Sequence, residues 1–175
     1  INNIPAEITR LPQPLSEAIK YFESLVRVSN VIVAHNAEFD KKWFGLKKLP
    51  QIEKPWICSM DDITWPADRQ LKTRPSVRDL ALAYGVPVCN AHRALTDCIY
   101  LSEVFIRCSE LEKLLIRALE PKVLLRAEIS YEERYLAKNA GFRWNDAIKG
   151  AWSRKMSRRD KEKLDFPVHE VDFHS

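Results

Sequence analysis

The 175-residue sequence predicts an α/β domain followed by a small α+β module. A short, continuous apolar run at residues 31–34 is typical of a buried strand in an α/β sheet, and helical periodicities stand on either side of it. Beyond residue 121, strand-like and helix-like segments are short and follow one another closely. We therefore place a first domain at residues 1–121 and an accessory module at residues 122–175.

The composition predicts a folded protein without a membrane partner, because 46% of the residues are hydrophobic and 30% are charged. No apolar run reaches the roughly 18 residues that span a bilayer, and no signal peptide is recognisable, so a cytoplasmic location is expected. The formal net charge of +4 is a mild bias towards polyanions. The four cysteines have neither a C-x-x-C spacing nor histidine pairs for a zinc site, which predicts reduced, mostly buried thiols.

The first domain is expected to begin with an amphipathic helix packed on a larger structure. Apolar residues recur there at helical spacing: Leu15, Ile19, Phe22 and Val26. The strand at residues 31–34 follows. Phe39, Trp43 and Leu46 share one face and predict a second helix that begins near residues 36–38.

A weaker strand at residues 55–60, a surface loop at residues 61–75 and two helices complete the first domain. Ser76 is the expected cap of a short helix that ends at Gly85. The last helix is predicted over residues 94–118. Its apolar stripe consists of Leu95, Cys98, Leu101, Phe105, Cys108, Leu111 and Leu115.

The C-terminal module begins with a capping box at residues 130–133, which predicts a helix that stops at Gly141. Strand-like segments at residues 142–144 and 151–154 flank a turn and predict a hairpin. A basic helix is expected at residues 157–164.

Two segments combine histidine with aspartate. The first, H-N-A-E-F-D, ends with Asp40 directly after the strand, and the second, H-R-A-L-T-D, runs from His92 to Asp97 at the start of a helix. His92 and Asp97 can therefore face one cleft. A carboxylate among the apolar neighbours of Asp97 is unfavourable unless it is paired, and a metal ion would account for it. The alternative is a solvated turn of the helix, which the spacing alone favours.

Together, the two segments resemble the second and third motifs of the histidine-type DEDD (DEDDh) 3′→5′ exonucleases, which have a ribonuclease H-like fold and include proofreading enzymes. The second motif, H-N-A-x-F-D, is matched at residues 35–40, and the third, H-x-A-x-x-D, at residues 92–97. Residues 56–66 look like the corresponding region of exonuclease X-like members. The resemblance covers residues 1–118.

This resemblance implies a metal-dependent 3′→5′ exonuclease that hydrolyses phosphodiester bonds at single-stranded or frayed DNA 3′ ends and releases nucleoside monophosphates. Such sites use two Mg²⁺ or Mn²⁺ ions, about 3.5–4 Å apart, to activate water and to stabilise charge. By resemblance, Asp97 binds the ion on the side of the nucleophile and Asp40 supports the second ion. His92 is the expected general base, since imidazole titrates near neutral pH.

Neighbouring residues have simpler expected roles. His35 is expected to orient the turn between strand and helix, and Asn36 to cap the helix or bond the nearby backbone. Phe39 and Trp43 are expected in the core rather than stacked on bases. Arg93 either touches phosphate or is solvated.

The first motif of the family, D-x-E, is absent, because the 39 residues before Asp40 contain four glutamates and no aspartate. Aligned with the family, the chain begins after the first three strands and lacks two of four metal-binding carboxylates, so this chain alone is not expected to hydrolyse nucleic acid efficiently. Three explanations are open: a fragment of a longer polypeptide, completion by another chain such as a second copy, or an inactive remnant. The first residue, Ile1, favours the fragment. Strand edges and an apolar face are then expected to be exposed.

The C-terminal module carries a basic segment, residues 143–163, with eight basic and three acidic residues and a net charge of +5. Interleaved aromatic and basic residues favour single-stranded nucleic acid, whose bases stack and whose phosphates pair with cations. The candidate nucleic-acid-binding residues are Arg93, Arg143, Trp144, Trp152, Arg154, Lys155, Arg158 and Arg159. The alternative is that both tryptophans form the core of the module and the charges are solvated.

Two other functions remain open at this stage. One is a catalytically inactive protein of the same fold that binds nucleic acid or acts as an adaptor. The other is an RNA-trimming exonuclease, since the sequence does not separate DNA from RNA as the partner.

Overall fold

The computed structural model describes residues 4–46, 49–89 and 93–172. They form mixed α/β structure in two compact units. Unit 1 consists of Ile1–Leu71 with Pro75–Ala118, and unit 2 of Lys72–Arg74 with Leu119–Ser175. Among the described helices, none has the length and apolarity that a membrane span requires.

Unit 1 contains two short strands, six helices and one 3₁₀ turn among its described residues. In chain order these are α1 (Ala6–Thr9), α2 (Leu15–Val28), β1 (Ile32–Ala34), α3 (Ala37–Lys41), β2 (Trp56–Cys58), the turn Ala67–Arg69, α4 (Val77–Ala83), α5 (Ala94–Arg107) and α6 (Leu111–Ala118).

The two strands of unit 1 are parallel neighbours, with Ile32 opposite Trp56 and Ala34 opposite Cys58. Both predicted strands are thereby confirmed. Because parallel strands bring their carboxyl ends to one edge, the residues that follow Ala34 and Cys58 lie together at that edge.

The core of unit 1 includes a segment that was predicted to be a surface loop. Ile63 and Trp65 are buried in that segment. The indole Nε1 of Trp65 donates to the Ser59 carbonyl at 3.0 Å, and its ring lies edge-on to Tyr84 with centroids 5.7 Å apart. The prediction was wrong here because Pro66 and the nearby charges masked two apolar residues that turn inwards.

The predicted single helix over residues 94–118 is also wrong, since the chain forms α5 and α6 with a break between them. Cys108 ends α5 in an extended conformation, with φ −86° and ψ 100°. Its buried Sγ accepts a hydrogen bond from the Tyr84 hydroxyl at 3.4 Å. The predicted apolar stripe is not buried at its beginning, because Leu95, its first residue, is 74% exposed.

Helix α2 occupies the predicted segment but has no fully buried residue. Phe22 stacks on Phe44 with ring centroids 5.4 Å apart, and Phe44 in turn contacts Trp56 at 5.6 Å. Much of the apolar surface of the first described segment is exposed. The residues concerned are Ile4, Ile8, Leu11, Leu15, Tyr21, Leu25 and Val28.

Unit 2 is built on a four-stranded antiparallel sheet of order β4-β5-β3-β6. Its elements are β3 (Lys122–Ala127), α7 (Arg134–Asn139), β4 (Arg143–Trp144), β5 (Trp152–Ser157), α8 (Arg158–Lys161) and β6 (Val168–Val171). The predicted β4–β5 hairpin is confirmed, whereas β3 and β6 were not predicted. Leu125, Phe142, Met156 and Phe166 belong to the buried core.

Both predicted helices of unit 2 exist but are shorter than expected. The capping box forms, since Ser130 N donates to Glu133 at 3.1 Å and Glu133 N donates to Ser130 Oγ at 3.3 Å. Helix α7 nevertheless begins only after the box, at Arg134. Ser157 caps α8 by accepting from Asp160 N at 3.2 Å, and α8 ends after one turn.

Candidate functional site

The carboxyl ends of β1 and β2 are joined by a polar contact. His35 Nδ1 lies 3.0 Å from Ser59 Oγ, and Ser59 is fully buried. This contact ties the residue after β1 to the residue after β2. It agrees with the expected role of His35, which is to orient the turn.

Asn36 turns the chain from β1 into α3 through its backbone rather than its side chain. It adopts a left-handed conformation with φ 70° and makes no side-chain cap hydrogen bond, so the expected side-chain cap is wrong. Its carbonyl accepts from Phe39 N at 2.8 Å. Asparagine tolerates this conformation better than most residues.

Two half-buried carboxylates stand near this edge, Asp40 in α3 and Asp97 in the first turn of α5. Partial burial raises the pKa of the Asp40 carboxyl. Partial desolvation also raises the pKa of the Cys98 thiol, and the charges of Asp97 and Asp40 raise it further. Asp97 directly precedes Cys98 in the chain, so the effect of the Asp40 charge on this thiol is what relates Asp40 to the first turn of α5.

Two other residues were expected at this site, His92 and Arg93. His92 lies outside the described residues, and Arg93 is exposed immediately before α5. Within the part of the chain that the structure describes, no group of three or more His, Cys, Asp or Glu side chains could hold a metal ion. Asp40 and Asp97 are thus two candidate carboxylate ligands, and the described residues offer no third.

Two further acids at the strand ends were not indicated by the sequence pattern. Asp62 accepts from Cys58 N at 2.7 Å, and Asp61 accepts from Cys58 Sγ at 3.5 Å. They stabilise the turn after β2. The available signal was two consecutive acids directly after a predicted strand.

Phe39 and Trp43 are exposed by 52% and 53%, so their expected place in the core is wrong. The short helix α3 turns Ala37, which is buried, towards the strands and leaves these rings outside. The two rings meet edge-on with centroids 6.3 Å apart. Lys42 Nζ lies 4.3 Å from the centre of the Phe39 ring.

The prediction of mostly buried thiols is right for half of the cysteines. All four are free, with Cys58 and Cys108 buried and Cys89 and Cys98 exposed. Cys98 is exposed because the apolar stripe of α5 does not reach its first turns.

Unit 2 contains a cleft of about 810 Å³ between α7 and the β4–β5 hairpin. Four aromatic and three basic residues line it: Arg134, Tyr135, Lys138, Phe142, Arg143, Trp144 and Trp152. Trp144 is 57% exposed, whereas Trp152 is half-buried and packs against the core. The alternative that both tryptophans form the core of the module is therefore wrong for Trp144 and correct in part for Trp152.

Two acids, Glu132 and Asp146, also line the cleft. Asp146 lies 3.3 Å from the Arg143 guanidinium. The Arg134 guanidinium lies 3.9 Å from the centre of the Tyr131 ring. The contribution of α7 was missed because Arg134, Tyr135 and Lys138 are an ordinary polar helix face in the sequence.

The remaining predicted nucleic-acid-binding residues of this unit do not line the cleft. Arg154 donates to the Ala140 carbonyl, and Lys155 is exposed on β5. Arg158 lies 3.1 Å from Glu170, and Arg159 lies 3.1 Å from Glu120. The predicted binding residues of the basic segment are thus divided, because Arg143, Trp144 and Trp152 line the cleft and the other four do not.

A family model described as a domain of unknown function (DUF8626) matches residues 123–171, which include the whole cleft. No curated protein and no solved structure matches the chain. The DEDDh-like motifs lie outside the matched residues, and the resemblance that they carry stays a prediction.

Proposed function

We propose that this chain belongs to a metal-dependent 3′→5′ exonuclease of ribonuclease H-like fold and carries two of its metal-binding carboxylates. The substrate is a DNA 3′ end, single-stranded or frayed, and the products are nucleoside monophosphates. Asp40 and Asp97 are the metal ligands.

A single observation supports this proposal above the others. Asp40 is 57 positions from Asp97 in the sequence, yet the charge of Asp40 acts on Cys98, the residue directly after Asp97. Among the described residues neither carboxylate takes part in a hydrogen bond or ion pair, and partial burial disfavours the charge of Asp40. Carboxylates held in this way are typical of functional sites, where a cation offsets the cost.

The donor chemistry fits a hard divalent cation. Mg²⁺ and Mn²⁺ prefer carboxylate oxygens, and Mg²⁺ is commonly bound by one or two carboxylates together with substrate phosphates and water. When bound, such a cation supplies an activated water and stabilises the charge on the phosphate oxygens. The role of Asp40 and Asp97 is to hold it beside the scissile phosphate.

His92 is proposed as the general base that takes a proton from the attacking water. With an unperturbed pKa near 6.5, a histidine is deprotonated and able to accept at neutral pH. This assignment rests on the third motif alone. His35, bonded to Ser59, is proposed to have a structural role.

The test is to incubate the protein made from its complete reading frame, since this chain alone lacks two of the family's four metal-binding carboxylates, with Mn²⁺ and a 5′-labelled single-stranded oligonucleotide. Stepwise shortening from the 3′ end is expected, and Asp97→Asn should abolish it. Thermal unfolding gives a second readout, since Mn²⁺ should raise the midpoint of the parent protein but not of Asp40→Asn or Asp97→Asn. Asp68→Asn is the matched control, because this acid is 70% exposed and paired with Arg69.

An intact oligonucleotide together with an unchanged unfolding midpoint would refute the proposal. A midpoint raised by Mn²⁺ without cleavage would instead support the inactive nucleic-acid-binding protein, which the exposed aromatic residues of the cleft also favour. Faster shortening of an RNA oligonucleotide of the same sequence than of the DNA oligonucleotide would support the RNA-trimming alternative.

A further inference from the structure

We propose that the cleft between α7 and the β4–β5 hairpin binds single-stranded nucleic acid by stacking a base on Trp144. The inference rests on the proposed function only for the choice of nucleic acid as the ligand. Binding in this cleft requires neither a metal ion nor hydrolysis.

Trp144 is a supported and exposed aromatic platform. It pairs across the hairpin with Trp152, and the two ring centroids lie 5.9 Å apart at an interplanar angle of 60°. Trp152 packs against the core of unit 2, yet Trp144 is still 57% exposed. An indole held on one side and open on the other can stack on a base with little further loss of side-chain entropy.

The turn after Trp144 holds this platform in place. Asn145 N donates to the Ala151 carbonyl at 2.9 Å, and Gly150 N donates to Asn145 Oδ1 at 2.9 Å. Both bonds close the loop at the position where β4 ends. The orientation of Trp144 is therefore set before a ligand arrives, which favours tight binding.

Helix α7 supplies the opposite wall with the chemistry that a nucleotide needs. Tyr135 lines the cleft and is 57% exposed, and Lys138 follows it about one helical turn later. Lys138 has no ion-pair partner among the described residues, so its ammonium group is available to a phosphate. A second aromatic ring and a cation facing Trp144 match a base and its phosphate.

The chemistry of the cleft favours a single strand over a duplex. In a duplex the base faces are already stacked on one another, and protein contacts go mainly to the phosphates. Glu132 and Asp146 at the cleft would repel a continuous phosphate lattice, although Arg143 offsets the charge of Asp146 at 3.3 Å. An exposed aromatic face, in contrast, can stack on a base that is unpaired.

The test measures binding of fluorescein-labelled oligothymidylate and oligouridylate of roughly eight nucleotides, within the range of small single-strand-binding folds. EDTA is present throughout to exclude metal-dependent cleavage. Binding should quench tryptophan fluorescence. Trp144→Ala should raise Kd about tenfold and Tyr135→Ala about fivefold or more, because each stacked base contributes roughly 1–3 kcal/mol. Trp144→Phe should retain most of the affinity.

A charge-matched pair of variants locates the site. Lys138→Glu should raise Kd by about tenfold, whereas Lys122→Glu, at an exposed lysine outside the cleft, should change it by less than about twofold. Circular dichroism and unfolding midpoints verify that each variant is folded. Comparison of the DNA and RNA probes shows which nucleic acid is preferred.

Equal loss of affinity for Lys138→Glu and Lys122→Glu would overturn the inference. Equal binding of a duplex, or an unaltered Kd for folded Trp144→Ala, would also overturn it. The two proposals fail separately. Cleavage with unchanged Kd in Trp144→Ala would refute the cleft alone, and cleft-dependent binding in EDTA without cleavage in Mn²⁺ would refute the exonuclease alone.

Discussion

Asp40 is a carboxylate in a position that disfavours its charge. Its partial burial raises the pKa of the carboxyl, and its ionised form at neutral pH therefore lowers the stability of the folded chain. In the proposed exonuclease, this loss of stability accompanies the binding of a cation by Asp40. The loss of stability can be measured without any assay of activity.

Replacing Asp40 with asparagine should stabilise the metal-free protein at neutral pH. The folded pKa lies above the unfolded value of about 3.9, so the destabilisation is fully present above the folded pKa and is relieved as the pH falls through it. Urea unfolding in EDTA should show a higher midpoint for Asp40→Asn at about pH 7. The difference should narrow towards about pH 4.

Glu112→Gln, on an exposed position of α6, is the control and should change the midpoint little. If Asp40→Asn were less stable than the parent at pH 7, the carboxylate would have a stabilising partner and its functional assignment would weaken.

At the residue scale, motif and spacing indicated Asp40 and Asp97, and in the structure the charge of Asp40 acts on Cys98, which follows Asp97 in the sequence. The expected burial of Phe39 and Trp43 was wrong, because helical periodicity shows which residues share a face but not whether another element covers that face. The roles of Tyr135 and Lys138 depend on a hairpin next to them and have no local signal.

At the element scale, the end of α7 depends on a glycine that cannot be replaced freely. Gly141 has φ 78°, and a Cβ there would lie 2.8 Å from Thr73 Cγ2 and 3.0 Å from Arg154 Nη1. Gly150 has a similar φ of 68°, but a Cβ there meets nothing within 4 Å. Comparing alanine substitutions at Gly141 and Gly150 therefore separates the effect of backbone strain from that of steric crowding.

Gly150→Ala should cost about 1 kcal/mol, the price of a left-handed conformation with a side chain. Gly141→Ala should cost roughly 1–2 kcal/mol more, because the new methyl group also crowds Thr73 and Arg154. Denaturant unfolding of both variants gives the two free energies. If both variants lost the same free energy of unfolding, the side chains of Thr73 and Arg154 would be able to move away from the new methyl group at no energetic cost.

Elements with local signals were predicted, and elements defined by distant partners were not. The cap at Ser76 and the glycine after α4 mark that helix in the sequence, and both are observed. Strand β3 is recognisable only through its pairing with β5 and β6, far along the chain. The break at Cys108 depends on a tertiary contact with Tyr84 and is equally invisible to periodicity.

At the scale of the whole molecule, the described residues contain two separate hydrophobic cores. One includes Ile57, Leu80 and Val104, and the other is built around Leu125. No residue belongs to both of these clusters. Each unit therefore has its own hydrophobic core, and a substitution in one core should destabilise that unit more than the other.

Leu80→Ala tests this expectation, since Leu80 is fully buried and its truncation should cost about 2–5 kcal/mol. Native-state hydrogen exchange should show faster exchange in α4 and α5 while the protection of β3 and β5 is kept. Leu82→Ala is the control on the same helix, because Leu82 is 56% exposed and should change exchange little. An equal loss of protection in both units would show a single cooperative structure.

The strand order β4-β5-β3-β6 also has a consequence for how the protein is made. β3 ends at Ala127, but its partners begin only at Trp152 and Val168. A ribosome that adds about 5–20 residues per second needs a few seconds to supply them. During that time the apolar residues of β3 have both edges unpaired in the nascent chain. A chaperone that binds extended apolar segments would have its best opportunity in this interval.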